Sequence, residues 1–275
     1  MNKVHHHIII ALLLSFTQLS SVSLAGDDAI EGIIERQTLR IGISDYQPPY
    51  VMTNKKGDLI GFDIDLAIAI ASAMNVKPEF VQMPFPKLLP NLSTDKVDMV
   101  LSGLNINIER ANDFLFVGPY MMSGKSILTN SHALVNHAEP ESLNSSELKV
   151  SALKDSTSAI FVKSMMQNVE LTEVENYEQA INLVREDKVD LMVADMAICI
   201  LATMKFPSEQ LLTLSSPLSI EPVGIAISAD HLGLYNLTQN YYTSYQELGL
   251  IDKLRKKWFQ NDDWIEQLPK KDIQL

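Results

Sequence analysis

The strongest restriction on the fold is an alternation of short β-branched runs with segments whose apolar residues recur at helical spacing. "TLRIGIS" at 38–44 predicts a strand, as do "VKPEFVQM" at 76–83 and "VDMVLSG" at 97–103. Between them, "DIDLAIAIASAMN" sets Ile64, Leu66, Ala67, Ile70 and Ala71 on one helical stripe, with Asp63 as its expected N-cap. "FPKLLPNLSTDK" predicts a short helix broken at Pro90. Pro48-Pro49 and Lys56-Gly57-Asp58 mark a loop and a hairpin. The order is β-α-β-α-β, so the fold class is α/β with a doubly wound sheet.

The same grammar then restarts. "KSILTNS" predicts a strand and leads into the polar stretch "HALVNHAEPESLNSSE". "LKVSAL", "VELTEVEN" and "VDLMVAD" predict further strands, each followed by a helical segment or turn. A last strand, "VGIAISA", precedes two helices, "LGLYNLTQNYYTSYQELGL" and "IDKLRKKWFQ". A chain of 275 residues is long enough for two such units. The expected organisation is one lobe from 26–128 and 220–275, a second from 129–219, and a cleft between them.

Residues 1–25 have a different character. Lys3 precedes an apolar core, "IIIALLL", and Ser23-Leu24-Ala25 is a small-residue site. This is the pattern of a secretory signal peptide cleaved after Ala25, so an exported protein is expected. The formal charge of −12 becomes one unit more negative once Lys3 is removed, which argues against nucleic acid and anionic membrane surfaces as partners. The single cysteine, Cys199, excludes an intrachain disulfide. His132, His137 and His231 lack ligand spacing, so neither a metal nor another cofactor is expected.

In doubly wound sheets, ligands sit beyond the carboxyl ends of the strands. Polar residues gather at those positions: Ser44, Asp45 and Gln47 after the first strand, and Ser102, Gly103, Asn105 and Arg110 after the third. In the second unit they are Lys154, Asp155, Ser156, Thr157 and Ser158, then Asp195. Arg110 lies in the first turn of a helix that Asn107 can cap, where a cation opposes the helix dipole but a guanidinium fork can grip a carboxylate. Gly103 allows close backbone approach. "DSTS" ahead of the next helix offers hydroxyls and free amides to an anion, or serves as an ordinary N-cap. Asp195 ends an apolar strand and needs a partner. Arg110 and Asp195 on opposite lobes would match a zwitterion.

These segments resemble the family 3 extracellular solute-binding proteins, the receptors of polar amino-acid ABC importers. "LRIGISDYQPPYV", "GDLIGFDIDLAIAIASAMN", "FPKLLPNLSTDKVDMVLSGLNINIER", "FVGPYMMSG", "EPVGIAI" and "IDKLRKKWF" carry the likeness, from about Leu39 to Phe259. The resemblance implies a two-lobed periplasmic-binding-protein fold, two doubly wound sheets joined by two hinge strands. It implies a monomeric periplasmic receptor that binds an α-amino acid or similar small carboxylate and delivers it to an inner-membrane ABC permease. By this likeness Arg110 holds the α-carboxylate, Asp195 takes the α-ammonium, and Gly103, Asn105, Thr157 and Ser158 line the site. Phe85 sits at a stacking position. Lys154, beside the second lobe's carboxylate loop, joins the candidate site.

Three positions depart from the family pattern. Asn105 replaces the more usual Ser or Thr. Ser44 stands where binders of basic side chains often carry Asp, which argues against a basic ligand unless Asp45 or Asp155 substitutes, and Gln47 stands where an aromatic is usual. Two other functions compete. The chain also resembles cyclohexadienyl dehydratases in "SGLNINIER" and "GPYMMSGKSILT", which includes Lys125. In that branch the acid is a Glu four residues after the Asp195 position, where this chain has Cys199, a poorer proton donor. The other alternative is a non-transport ligand sensor. A receptor rather than an enzyme is the expectation.

Overall fold

The computed structural model describes residues 28–136, 142–261 and 263–269. The expected signal peptide, and His137 within the polar stretch of the second unit, lie outside them.

Two five-stranded sheets repeat one pattern. In the first, β1 (Thr38–Ser44) lies between β4 (Lys77–Met83) and β5 (Met99–Val100), parallel to both. In the second, β8 (Lys149–Leu153) lies between β9 (Glu170–Val174) and β10 (Leu191–Asp195), again parallel to both. Each parallel triplet is extended by antiparallel strands. These are β12 (Glu221–Ser228) and β6 (Phe114–Ser123) in the first sheet, and β7 (Lys125–Thr129) and β11 (Leu212–Thr213) in the second. A two-stranded hairpin, β2 (Met52–Thr53) with β3 (Leu59–Ile60), turns at the expected Lys56-Gly57 position.

The helices cover the sheet faces: α1 (Asp28–Arg36), α2 (Phe62–Ala73), α3 (Leu88–Leu92), α9 (Leu232–Glu247) and α10 (Leu250–Arg255) on the first lobe, with the single turn α4 (Ile108–Ala111). The second lobe carries α5 (His132–Asn136), α6 (Thr157–Met165), α7 (Tyr177–Arg185) and α8 (Met196–Lys205). The stripe expected on α2 is buried: Ile64, Leu66, Ala67, Ile70 and Ala71 all lie in the first core. Pro90 does not break its helix, because it sits in the opening turn of α3, where a missing N–H costs nothing. Asp63 is not the cap of α2. Gly61 holds that position, and Asp63 is fully buried inside the first turn.

The lobes are joined where β6 hands over to β7 at Gly124 and where residues 214–220 return to β12. The crossing lies earlier than the 128/129 boundary expected from sequence, because Lys125–Thr129 pairs with β10 in the second sheet. The two crossing segments touch: Leu218 N donates to Lys125 O at 2.7 Å, and Lys125 N donates to Ser219 Oγ at 3.1 Å. A Cβ on Gly124 would lie 2.1 Å from Ser219 O and 2.7 Å from Pro217 Cβ. Gly124→Ala therefore has to push the crossings apart, and a loss of about 1–3 kcal/mol is expected, read as a lower melting temperature.

Candidate functional site between the lobes

The carboxyl ends of β1, β5, β8 and β10 converge on the cleft, as the doubly wound rule requires. Asn107 accepts from Arg110 N at 2.9 Å and caps α4. That turn aims the Arg110 side chain across the cleft. Nη1 donates to Asn105 O at 2.7 Å, in its own lobe, and Nη2 donates to Asp155 O at 2.9 Å, in the other. Arg110 is only 8% exposed, and its Cζ lies 5.8 Å from the Phe85 ring centroid. Burial lowers its pKa, while Asp195 and Glu221 pull the other way. A guanidinium has five N–H donors; hydrogen bonds to described residues take one on each of Nη1 and Nη2.

The second feature is a buried charge cluster. Lys125 opens β7 directly opposite Asp195 at the end of β10. Its Nζ lies 2.5 Å from Asp195 Oδ1, 2.6 Å from Thr157 Oγ1 and 2.9 Å from Glu221 Oε2. Glu221 Oε2 also accepts from Asn105 Nδ2 at 2.7 Å, and Ser219 Oγ lies 3.1 Å from its Oε1. Burial opposes the Glu221 carboxylate, but Lys125 and hydrogen bonds from Thr157 and Ser219 hold its pKa below the usual range. Lys125 belongs to the second sheet and Glu221 to the first, so this cluster also spans the lobes.

The candidate residues fall into three groups. Arg110, Asn105, Thr157, Asp195 and Phe85 come together around these two features. Ser158, at the start of α6, is fully buried, with a hydroxyl oxygen that has no hydrogen-bond partner among the described residues. Gln47 is also buried; its side chain hydrogen-bonds Tyr177 of the second lobe, and its Oε1 is unpartnered.

Three candidates are engaged elsewhere. Gly103 has φ +57, and its N–H donates to Asp63 Oδ2 at 2.6 Å, so this amide is committed inside the first lobe. Ser44 is buried, with Oγ 2.7 Å from Ser102 Oγ. Lys154 is half exposed and pairs with Glu175 at 3.4 Å, away from the cluster. In the "DSTS" stretch, Ser156 is the ordinary N-cap, accepting from Ala159 N at 3.2 Å. Asp195 occupies an N-cap position but makes no capping bond, because its Oδ1 turns to Lys125.

Sequence reasoning missed Glu221, Tyr177 and the place of Lys125 in the cluster. Tyr177 is buried, and burial, with Asp195 nearby, raises its pKa well above the usual value. Cys199 is fully buried; burial, then the charge of Asp195, pushes its thiol up to about 12, which suits a core residue and not a proton donor. A cavity of about 650 Å³ is a separate apolar groove between α8 and the C-terminal segment, lined by Met196, Ile200, Met204, Trp258 and Trp264. Arg110 lines a smaller one of about 140 Å³ with Phe85, Leu89, Leu104 and Asp155.

Asp63 positions the loop that leads to Arg110. Its Oδ2 accepts from Gly103 N and, at 3.0 Å, from Tyr120 Oη; its Oδ1 has no partner. Burial raises its pKa to about 7, against hydrogen bonds that lower it. The folded protein therefore keeps a proton that the unfolded chain releases between about pH 4 and pH 7. Stability conferred by this group falls as pH rises through that window and is flat above it. Asp63→Asn should remove a slope amounting to a few kcal/mol, measured as urea midpoints at pH 5 and pH 7.5. An unchanged slope would show that Asp63 titrates normally.

Two α/β lobes, two crossing strands and a cleft lined from both sides define a two-lobed binding-protein architecture. The chain belongs to the bacterial extracellular solute-binding proteins, family 3, whose model matches residues 39–261. It is 22% identical over 258 residues to the ABC transporter arginine-binding protein 1 of Escherichia coli, covering 92% of this chain and 98% of that protein. A solved variant of the arginine-binding protein ArgBP from T. maritima superposes with a TM-score of 0.79 at 28% identity, covering 85% of this chain and all of the other. The cyclohexadienyl dehydratase of Pseudomonas aeruginosa is 31% identical over 130 residues, but that match covers only 47% of this chain and 48% of the enzyme. The relatives matched along nearly their full length are binding proteins, and the chain is a solute-binding protein, not an enzyme.

Proposed function

We propose that this protein captures a small carboxylate of amino-acid size between its two lobes, in the periplasm, and presents it as a monomer to an inner-membrane ABC permease. The observation that carries this reading is Arg110, buried, reaching from the first lobe to the Asp155 carbonyl of the second. A carboxylate gripped by the remaining guanidinium donors adds a contact that exists fully only when the lobes are together. Such differential affinity is what drives hinge closure. The family's transport role and the arginine-binding relatives support the substrate size and the permease partner.

The test is a thermal-shift screen of residues 26–275 against amino acids, 2-oxo acids and other small carboxylates. A ligand at a hundred times its Kd adds about 2.7 kcal/mol to the folded state, a rise of several degrees. The expected result is a selective shift by a carboxylate, abolished when the acid is replaced by its amide. A panel without any shift would refute the carboxylate receptor.

A further inference from the structure

We infer that the ligand of this cleft is a carboxylic acid without an α-amine, because the protein's own Lys125 fills the place where a ligand ammonium would sit. This rests on the carboxylate-receptor reading above and names its substrate class.

In a zwitterion site, Arg110 would face the carboxylate and Asp195 the ammonium. Here Lys125 Nζ stands 2.5 Å from Asp195 Oδ1. An ammonium carries three N–H donors. Those of Lys125 meet Asp195, Thr157 and Glu221 within 2.9 Å, so the cation is saturated by protein groups from both lobes. Lys125 is 1% exposed, so its ammonium is shielded from water and relies on these protein partners. The second carboxylate is no substitute acceptor. Glu221 already receives Lys125 and Asn105 at Oε2, Ser219 at Oε1, and Thr157. A second ammonium brought to Asp195 would stand beside the first in a water-poor site, and like charges so placed cost several kcal/mol.

The carboxylate end has the opposite character. Arg110 keeps donors to spare, and the loop it grips at Asp155 runs directly into α6, where the buried Ser158 hydroxyl has no partner. Besides Arg110, the cavity there is lined by the apolar Phe85, Leu89 and Leu104 and by Asp155, whose carbonyl Arg110 holds. One anionic end and a small uncharged apolar body match these walls, as in a short 2-oxo, 2-hydroxy or unsubstituted acid.

The experiment compares matched pairs by isothermal titration against residues 26–275: 4-methyl-2-oxopentanoate with leucine, phenylpyruvate with phenylalanine, and 2-oxobutanoate with 2-aminobutanoate. In the pair that fits the pocket, the amine-free acid should bind about 100-fold more tightly or better. Lys125→Ala frees Asp195 and should reverse the preference toward the amino acid. If that variant does not fold, Lys125→Gln serves instead, since an amide keeps donors for the two carboxylates but carries no charge. The preference for the amine-free acid should then shrink at least tenfold, and an unchanged preference would overturn the inference. Amino acids binding as tightly as their amine-free partners, in an Arg110-dependent way, would overturn this inference and leave the carboxylate receptor standing. Absence of binding by both members of every pair would overturn both.

Discussion

Lys125→Met should cost about 3–5 kcal/mol of stability near neutral pH, the largest loss expected from any single change at this site. The Lys125 side chain is 1% exposed, and it neutralises two carboxylates, Asp195 and Glu221, drawn from different lobes. Methionine approximates the volume of the stem but leaves both acids facing each other. Removing one member of a buried ionic cluster strands the rest, and stranded charge is what makes such changes expensive. In a chain of this length the melting temperature should fall by about 10 °C. The deficit should be smaller at pH 5 than at pH 8, because uncompensated buried carboxylates take up protons more readily than paired ones. Adding Asp195→Asn to Lys125→Met should recover part of the loss, because one of the two stranded charges is gone. A Lys125→Met protein that melts with the parent at pH 8 would show that the cluster is not the internal ion system described here.

The fate of Lys125 also shows where the sequence stops being readable. The strand–helix alternation and its restart in the second half of the chain are local patterns, and they led to the right fold class. Asn107 as the cap of Arg110 was readable for the same reason: cap and target lie three residues apart. Asp63 looked like a cap because its local context is that of a helix start. Its true partners, Gly103 and Tyr120, are 40 and 57 residues away. Lys154 looked like a site residue because it follows a strand, yet the chain turns it outward to Glu175.

Lys125, Asp195 and Glu221 lie 70 and 26 residues apart in sequence and meet only because β7 pairs antiparallel with β10 while β12 returns beside β6. A lysine at the first position of an apolar strand is a visible anomaly in "GKSILT". Its partner is set by sheet register, which one sequence does not display. Tyr177 and Glu221 were missed for the same reason: each looks like an ordinary first residue of its element, and only the closure of one lobe on the other gives it a role.

Arg110→Ala should abolish carboxylate binding, by about 100-fold or more, which is about 3 kcal/mol, while the protein without ligand folds as the parent does. Two separate contributions are lost. One is the charge-assisted grip on the ligand, which is stronger than a neutral hydrogen bond. The other is the tie from Nη2 to the Asp155 carbonyl, which helps to hold the second lobe against the first. Arg110→Lys separates them. Lysine restores the positive charge but not the planar fork, and it cannot donate to Asn105 O, Asp155 O and a carboxylate from one rigid plane. If geometry is what matters, Arg110→Lys should bind nearly as poorly as Arg110→Ala in isothermal titration. If charge alone suffices, it should bind nearly as well as the parent, and the guanidinium would then be one cation among several in the cleft. The structure favours geometry. Arg110 is held on both sides by backbone carbonyls and faces the Phe85 ring, so it is already in position before any ligand arrives. A preorganised donor set loses little entropy on binding, and that advantage disappears with the fork.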